Sequence, residues 1–70
     1  MIEVKPILNK RLKEKGITQY ELHMKTKINQ ASLSRFDLQK SHSDKHLFLI
    51  ARALGISVED LFEVTESEEG

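Results

Sequence analysis

Cysteine is absent from the 70 residues, so neither a disulfide nor a thiolate zinc site can staple the fold, and stability must come from helix packing. There is no long apolar run, signal-peptide pattern or transmembrane segment, which leads us to expect a cytoplasmic protein. A glycine-rich phosphate loop and a nucleophile motif are missing too. The one spacing that hints at metal chemistry, His42 and His46, has no glutamate between its members. His42 also precedes the serine expected to cap the next helix, so the pair need not share a helix face. These absences argue against an enzyme and give no reason to expect a metal or a cofactor. Seventy residues allow one small domain, and a chain of that length buries only about 60% of its unfolded surface.

Net charge is absent as well: eleven Lys and Arg balance eleven Asp and Glu. The charges are nevertheless segregated. Residues 1–58 hold eleven bases against five acids, a net +6, and residues 59–70 hold six acids and no base, a net −6. The body of the chain is therefore basic, as in a nucleic-acid binder, and the acidic end folds away from it or hangs as a tail. Such a tail serves solubility, or competes with DNA for the basic face.

What is present is helical periodicity. Val4, Leu8 and Leu12 recur every four residues with Ile7 beside them. This predicts a first helix over 4–15, with Pro6 in its first turn and Gly16 ending it, and with Lys10, Lys13 and Lys15 on more exposed faces. Thr18 and Glu21 make a T-x-x-E capping box that starts a second helix at Gln19, along which Leu22 and Thr26 share a face. Ile28 then precedes Asn29, a residue suited to capping a third helix from Gln30. In that helix Leu33 and Phe36 turn inward, and Gln30, Ala31, Ser34 and Arg35 point outward, a set with the chemistry of base-edge recognition.

A polar connection over 38–43 leads to a fourth helix capped by Ser43 or Asp44, with Leu47, Ile50, Ala51 and Leu54 toward the core and Gly55 as its stop. Ser57 caps a short fifth helix that buries Val58, Leu61 and Phe62. The expectation is an all-α fold of five short helices around one core, with no strand needed. A helix-turn-helix domain over 1–64 is followed by an acidic, disordered tail over 65–70.

Thr18-Gln19, Leu22, Ile28-Asn29 and Leu33-Ser34-Arg35 resemble, in order, the pattern of the Xre or phage-repressor class of helix-turn-helix regulators, which includes Cro-like and lambda-repressor-like domains. That pattern runs Thr-Gln, two variable residues, Leu-Ala, a short polar run, Gly-Ile-Ser, and a recognition helix with Leu-Ser-Arg. Residues 50–61, Ile-Ala-Arg-Ala-Leu-Gly-Ile-Ser-Val-Glu-Asp-Leu, are similar to its closing segment, and the likeness covers most of the chain. Two positions depart. His23 stands where the family usually has alanine and the helices cross closely, which implies a looser crossing. Lys27 stands where the family usually has glycine, at a turn position of positive φ that costs a residue with a side chain roughly 1 kcal/mol.

The resemblance implies a lambda-repressor-like DNA-binding domain: a sequence-specific regulator of transcription on double-stranded DNA, a repressor acting by promoter occlusion. Its recognition helix, about residues 30–38, would lie in the major groove. Base contacts are expected from Gln30 to adenine, Arg35 forked on guanine, the Ala31 methyl against a thymine methyl, and Ser34. Phosphate contacts are expected from Gln19, Asn29, Lys40 and Lys45, although the two lysines would also be ordinary as solvated side chains. Two bidentate contacts per half-site do not define a genomic address, so a homodimer on paired half-sites is expected. Phe48, Leu49 and Val64 are the candidate apolar patch for it, unless they fill the core rim. Nothing suggests a membrane or a small-molecule partner. The competing reading is a protein-interaction module, a regulator or antitoxin partner that keeps the fold without specific DNA reading, which would suit the neutral total charge. Against it stand the basic body and the polar pair Gln30 and Arg35, placed where an interaction surface is more often apolar.

Overall fold

The computed structural model describes residues 1–66. Along the chain come β1 (Ile2–Pro6), α1 (Leu8–Lys15), α2 (Gln19–Thr26), α3 (Gln30–Arg35), α4 (Asp44–Leu54) and β2 (Phe62–Glu66). Single 3-10 turns lie at Phe36–Leu38 and Val58–Leu61. Local chemistry sets most of these boundaries. The Glu21 N–H donates to Thr18 Oγ1 at 3.1 Å and the Thr18 N–H donates to Glu21 Oε1 at 3.2 Å, the reciprocal box that opens α2. The Ala31 N–H donates to Asn29 Oδ1 at 2.7 Å to open α3, and the His46 N–H to Ser43 Oγ at 3.3 Å to open α4. Gly16 and Gly55 end α1 and α4 at φ 66° and 69°, where a residue with a Cβ would be strained.

Leu8 and Leu12 from α1, Leu22 from α2, Ile28 from the turn, Leu33 from α3, Phe36, Leu61 and the α4 residues Ile50, Ala51 and Leu54 make one buried core. Each buried leucine there contributes about 1.5–3 kcal/mol relative to exposure, so this cluster is the main source of stability in a chain without staples. α2 packs against both α3 and α4, which fixes the angle at which α3 stands out from the body.

α1 is capped from a distance. The Asp37 carboxylate accepts the Leu8 N–H at 2.7 Å and the Asn9 N–H at 3.1 Å, so the 3-10 turn that follows α3 closes the N-terminus of α1. Arg11 Nε donates to the Asp60 carbonyl at 2.7 Å, tying α1 to the second 3-10 turn. Its guanidinium also bonds Glu14 at 2.8 Å, which holds that carboxyl below the usual carboxylate range.

Sheet replaces part of the expected all-α arrangement. The helix predicted from residue 4 begins at Leu8, and β1 pairs antiparallel with β2, with Val4 opposite Val64 and Pro6 opposite Phe62. Val4, expected in the inward stripe of the first helix, is 57% exposed. Pro6 explains part of this: the residue before a proline is pushed out of the helical region, so Lys5 favours extended backbone. The rest comes from the partner strand, whose Val64 and Thr65 supply a β-forming surface 60 residues downstream of Val4 and Lys5. The expected fifth helix is a single 3-10 turn because the chain is drawn into β2 at Phe62; Leu61 is buried there, and Val58 and Phe62 are partly buried. Thr65 and Glu66, assigned to a tail, belong to β2; the remainder of that tail, 67–70, lies outside the described residues.

His42 takes a packing role in this frame. Its ring stacks on Phe36 with centroids 4.0 Å apart and meets Phe62 edge-on at 5.8 Å. Its Nε2 donates to the Phe36 carbonyl at 2.7 Å, so the cluster ties the end of the α3 segment to the start of β2.

Candidate nucleic-acid interface

Residues 27–29 connect α2 to α3, and the side chains on either side of this turn hold it shut. Lys27 stands at φ 62° and ψ 18°, the left-handed position expected of it, and its N–H donates to the His23 carbonyl at 2.7 Å. Ile28 drops its side chain into the core, 4% exposed. Its N–H donates to Thr26 Oγ1 at 3.2 Å, and its carbonyl accepts from His23 Nδ1 at 2.6 Å. Thr26 Oγ1 in turn donates to the Leu22 carbonyl at 2.8 Å, so this buried hydroxyl is satisfied in both directions. His23 therefore does not loosen the crossing. The ring lies half-buried across the turn, while Leu22 and Leu33 beneath it are 0% and 1% exposed.

With Leu33 facing inward, α3 presents Gln30, Ala31, Ser34 and Arg35 as exposed residues. The spacing i, i+1, i+4, i+5 makes them one continuous strip along six helical residues. Asn29 stands at the head of the strip; its Oδ1 is committed to the cap, which leaves its amide N–H groups for an outside acceptor. Ser34 Oγ donates back to the Ala31 carbonyl at 3.4 Å and keeps its lone pairs outward. Lys40 and Lys45 are exposed, one in the connection after the 3-10 turn and one in the first turn of α4. Among the described residues Arg35, Lys40 and Lys45 form no ion pair, so their charges are available to an anion.

Gln19 is half-buried at the start of α2, and its Nε2 donates to Asn9 Oδ1 at 2.9 Å. Asn9 thus positions Gln19 and leaves one of its amide hydrogens over. Sequence reasoning missed Asn9 because the two residues lie ten apart on different helices, and no local pattern links them. Of the proposed apolar patch, Phe48 and Val64 are exposed and Leu49 is partly buried. Leu49 packs against the core; Phe48, 66% exposed, rims a shallow groove with Ala51, Arg52, Ile56 and Val58; Val64 stands on the ribbon.

Residues 7–67 match the family model of the Cro/C1-type HTH DNA-binding domain. The chain belongs to that family. No curated protein and no solved structure matches it. As a Cro/C1-type domain the molecule is a helix-turn-helix DNA-binding protein of transcription regulation, and α3, which carries the exposed strip, is the helix that follows the turn after α2. The matched segment contains every helix and β2 but not β1. Among the described residues no helix is long and apolar enough to cross a membrane, and no group of three or more His, Asp or Glu is placed to hold a metal ion.

Proposed function

We propose that this Cro/C1-type domain reads a specific operator in double-stranded DNA as a cytoplasmic homodimer and represses transcription by occluding the promoter. One observation carries the reading: the four residues that buried Leu33 leaves on the outer face of α3 have the chemistry of base edges in the major groove. Gln30 pairs bidentately with adenine, Arg35 forks onto guanine, the Ala31 methyl packs on a thymine methyl and Ser34 adds a hydroxyl contact. Gln19, Asn29, Lys40 and Lys45 hold phosphates and set register without reading sequence. A dimer doubles the base contacts, so the operator is two-fold symmetric with half-sites about one helical turn apart.

Selection from a random duplex pool, followed by fluorescence anisotropy, tests this. The expected result is a symmetric motif whose binding weakens steeply with salt. Arg35→Ala is expected to lose about 1–3 kcal/mol of discrimination at one base position per half-site and to leave the others intact. Failure of the wild-type chain to bind duplex DNA at low salt would sink the proposal and favour a protein partner.

A further inference from the structure

The β1–β2 ribbon shows water an apolar row: Ile2 is 61% exposed, Val4 57% and Val64 54%. Strand alternation places Ile2, Val4 and Pro6 on one face of β1, and the register sets Glu66, Val64 and Phe62 beside them. Glu3, Lys5, Glu63 and Thr65 share the opposite face. Two strands alone are marginal in water, and β1 lies outside the segment that matches the family.

Hydrogen-bond parity identifies what the open edge offers. The Ile7 N–H donates to the Leu61 carbonyl at 2.9 Å. In the antiparallel alternation, Lys5 and Glu3 therefore point their backbone groups at β2, while Val4 and Ile2 point theirs outward. Pro6 agrees with this parity, since its missing N–H falls on the outer side. The outer edge of β2 is poorer. The Phe62 N–H already donates to the Glu59 carbonyl, and Glu63 and Glu66 line the strand without a base.

We propose that β1 pairs antiparallel with β1 of a second copy of this chain, about a two-fold axis through Val4, to make a four-stranded sheet. The proposal deepens, and rests on, the reading of the protein as a dimeric DNA binder. Self-pairing about Val4 makes the two Val4 residues a hydrogen-bonded pair and brings each Ile2 N–H to the carbonyl of Pro6 of the partner subunit. It also sets Glu3 opposite Lys5 of the partner subunit, twice, at the closer non-hydrogen-bonded positions. Charge favours the β1 edge: β1 meets itself with opposite charges facing, whereas β2 carries Glu63 and Glu66 and no base, so meeting itself gives it no opposite-charge pair. A row of four valines, two from each copy, then crosses the sheet and gives the exposed Val4 and Val64 apolar neighbours. The contact is isologous and closes at two subunits, while pairing β1 on β2 of another copy would propagate.

Sedimentation equilibrium on the full chain, over a concentration series without DNA, tests the pairing. The wild type is expected to form a dimer. Val4→Pro removes an N–H that points away from β2; it is expected to raise the dimer dissociation constant at least about tenfold with the helical circular-dichroism signal unchanged. Glu3→Lys faces Thr65 within its own chain but Lys5 of the partner subunit across the axis, so it is expected to weaken the dimer. A wild-type chain that stays monomeric, a dimer that neither variant weakens, or a ladder of higher oligomers overturns the proposal. Anisotropy on duplex DNA separates the two readings. A β1-dependent dimer that does not bind DNA overturns the regulator reading alone, and a monomer that binds DNA overturns the strand pairing alone.

Discussion

Both backbone groups of Ile28 are held by side chains, the N–H by Thr26 and the carbonyl by His23, and this pair of bonds steadies a turn that contains the strained Lys27. Removing the His23 ring leaves a half-buried carbonyl without its donor. His23→Ala is expected to destabilise the domain by about 1 kcal/mol in urea unfolding, even though alanine is the residue usual in the family. Lys27→Gly acts in the opposite direction. Relief of the left-handed penalty, about 1–2 kcal/mol, is partly offset by the extra freedom of glycine in the unfolded chain. A net gain of about 0.5–1 kcal/mol is expected, read as a higher urea midpoint with an unchanged slope. The positive φ at Lys27 was legible in advance because the family pattern places glycine there. The bond from His23 was not, since its acceptor lies five residues on and comes within reach only when the turn closes.

At the scale of elements, the caps written in short sequence words, Thr18 with Glu21, Asn29 and Ser43, open α2, α3 and α4 at the expected residues, because each works within three positions. α1 differs: Ile7 offers no side-chain cap, and Asp37, 29 positions away from Leu8, supplies one. Asp37→Ala is expected to cost about 1–2 kcal/mol and to reduce amide-exchange protection first at Leu8 and Asn9. Asp37→Asn, which keeps one acceptor oxygen, should recover part of that loss. The same limit of range explains β1. Val4 fits the helical stripe of Leu8 and Leu12 by spacing, and only the presence of β2 reveals that it fits a ribbon better.

For the whole molecule, the decisive feature is how the segregated charge is disposed. The acidic end does not hang free as far as Glu66: Glu63 lies opposite Lys5, and β2 is anchored by Phe62 against the Phe36 and His42 rings. Among the described residues Lys40 and Lys45 form no ion pair, so DNA binding should fall linearly in log–log plots against salt. Lys40→Ala and Lys45→Ala are each expected to reduce the magnitude of that slope by about 1 per bound copy without changing the preferred motif, as titrations at several salt concentrations would show. Sequence by itself determined the helix-turn-helix unit, its caps, its inward residues and the outward strip Gln30, Ala31, Ser34 and Arg35. These depend on periodicity and bonds that span three or four residues, and a chain carries such information locally. Tertiary structure alone decided the ribbon between the two ends, the Asp37 cap on α1, the Asn9 support of Gln19 and the His42 aromatic cluster. Each requires residues distant in sequence, or a loop side chain placed by the packed core, and such contacts form only after the core has brought their elements together.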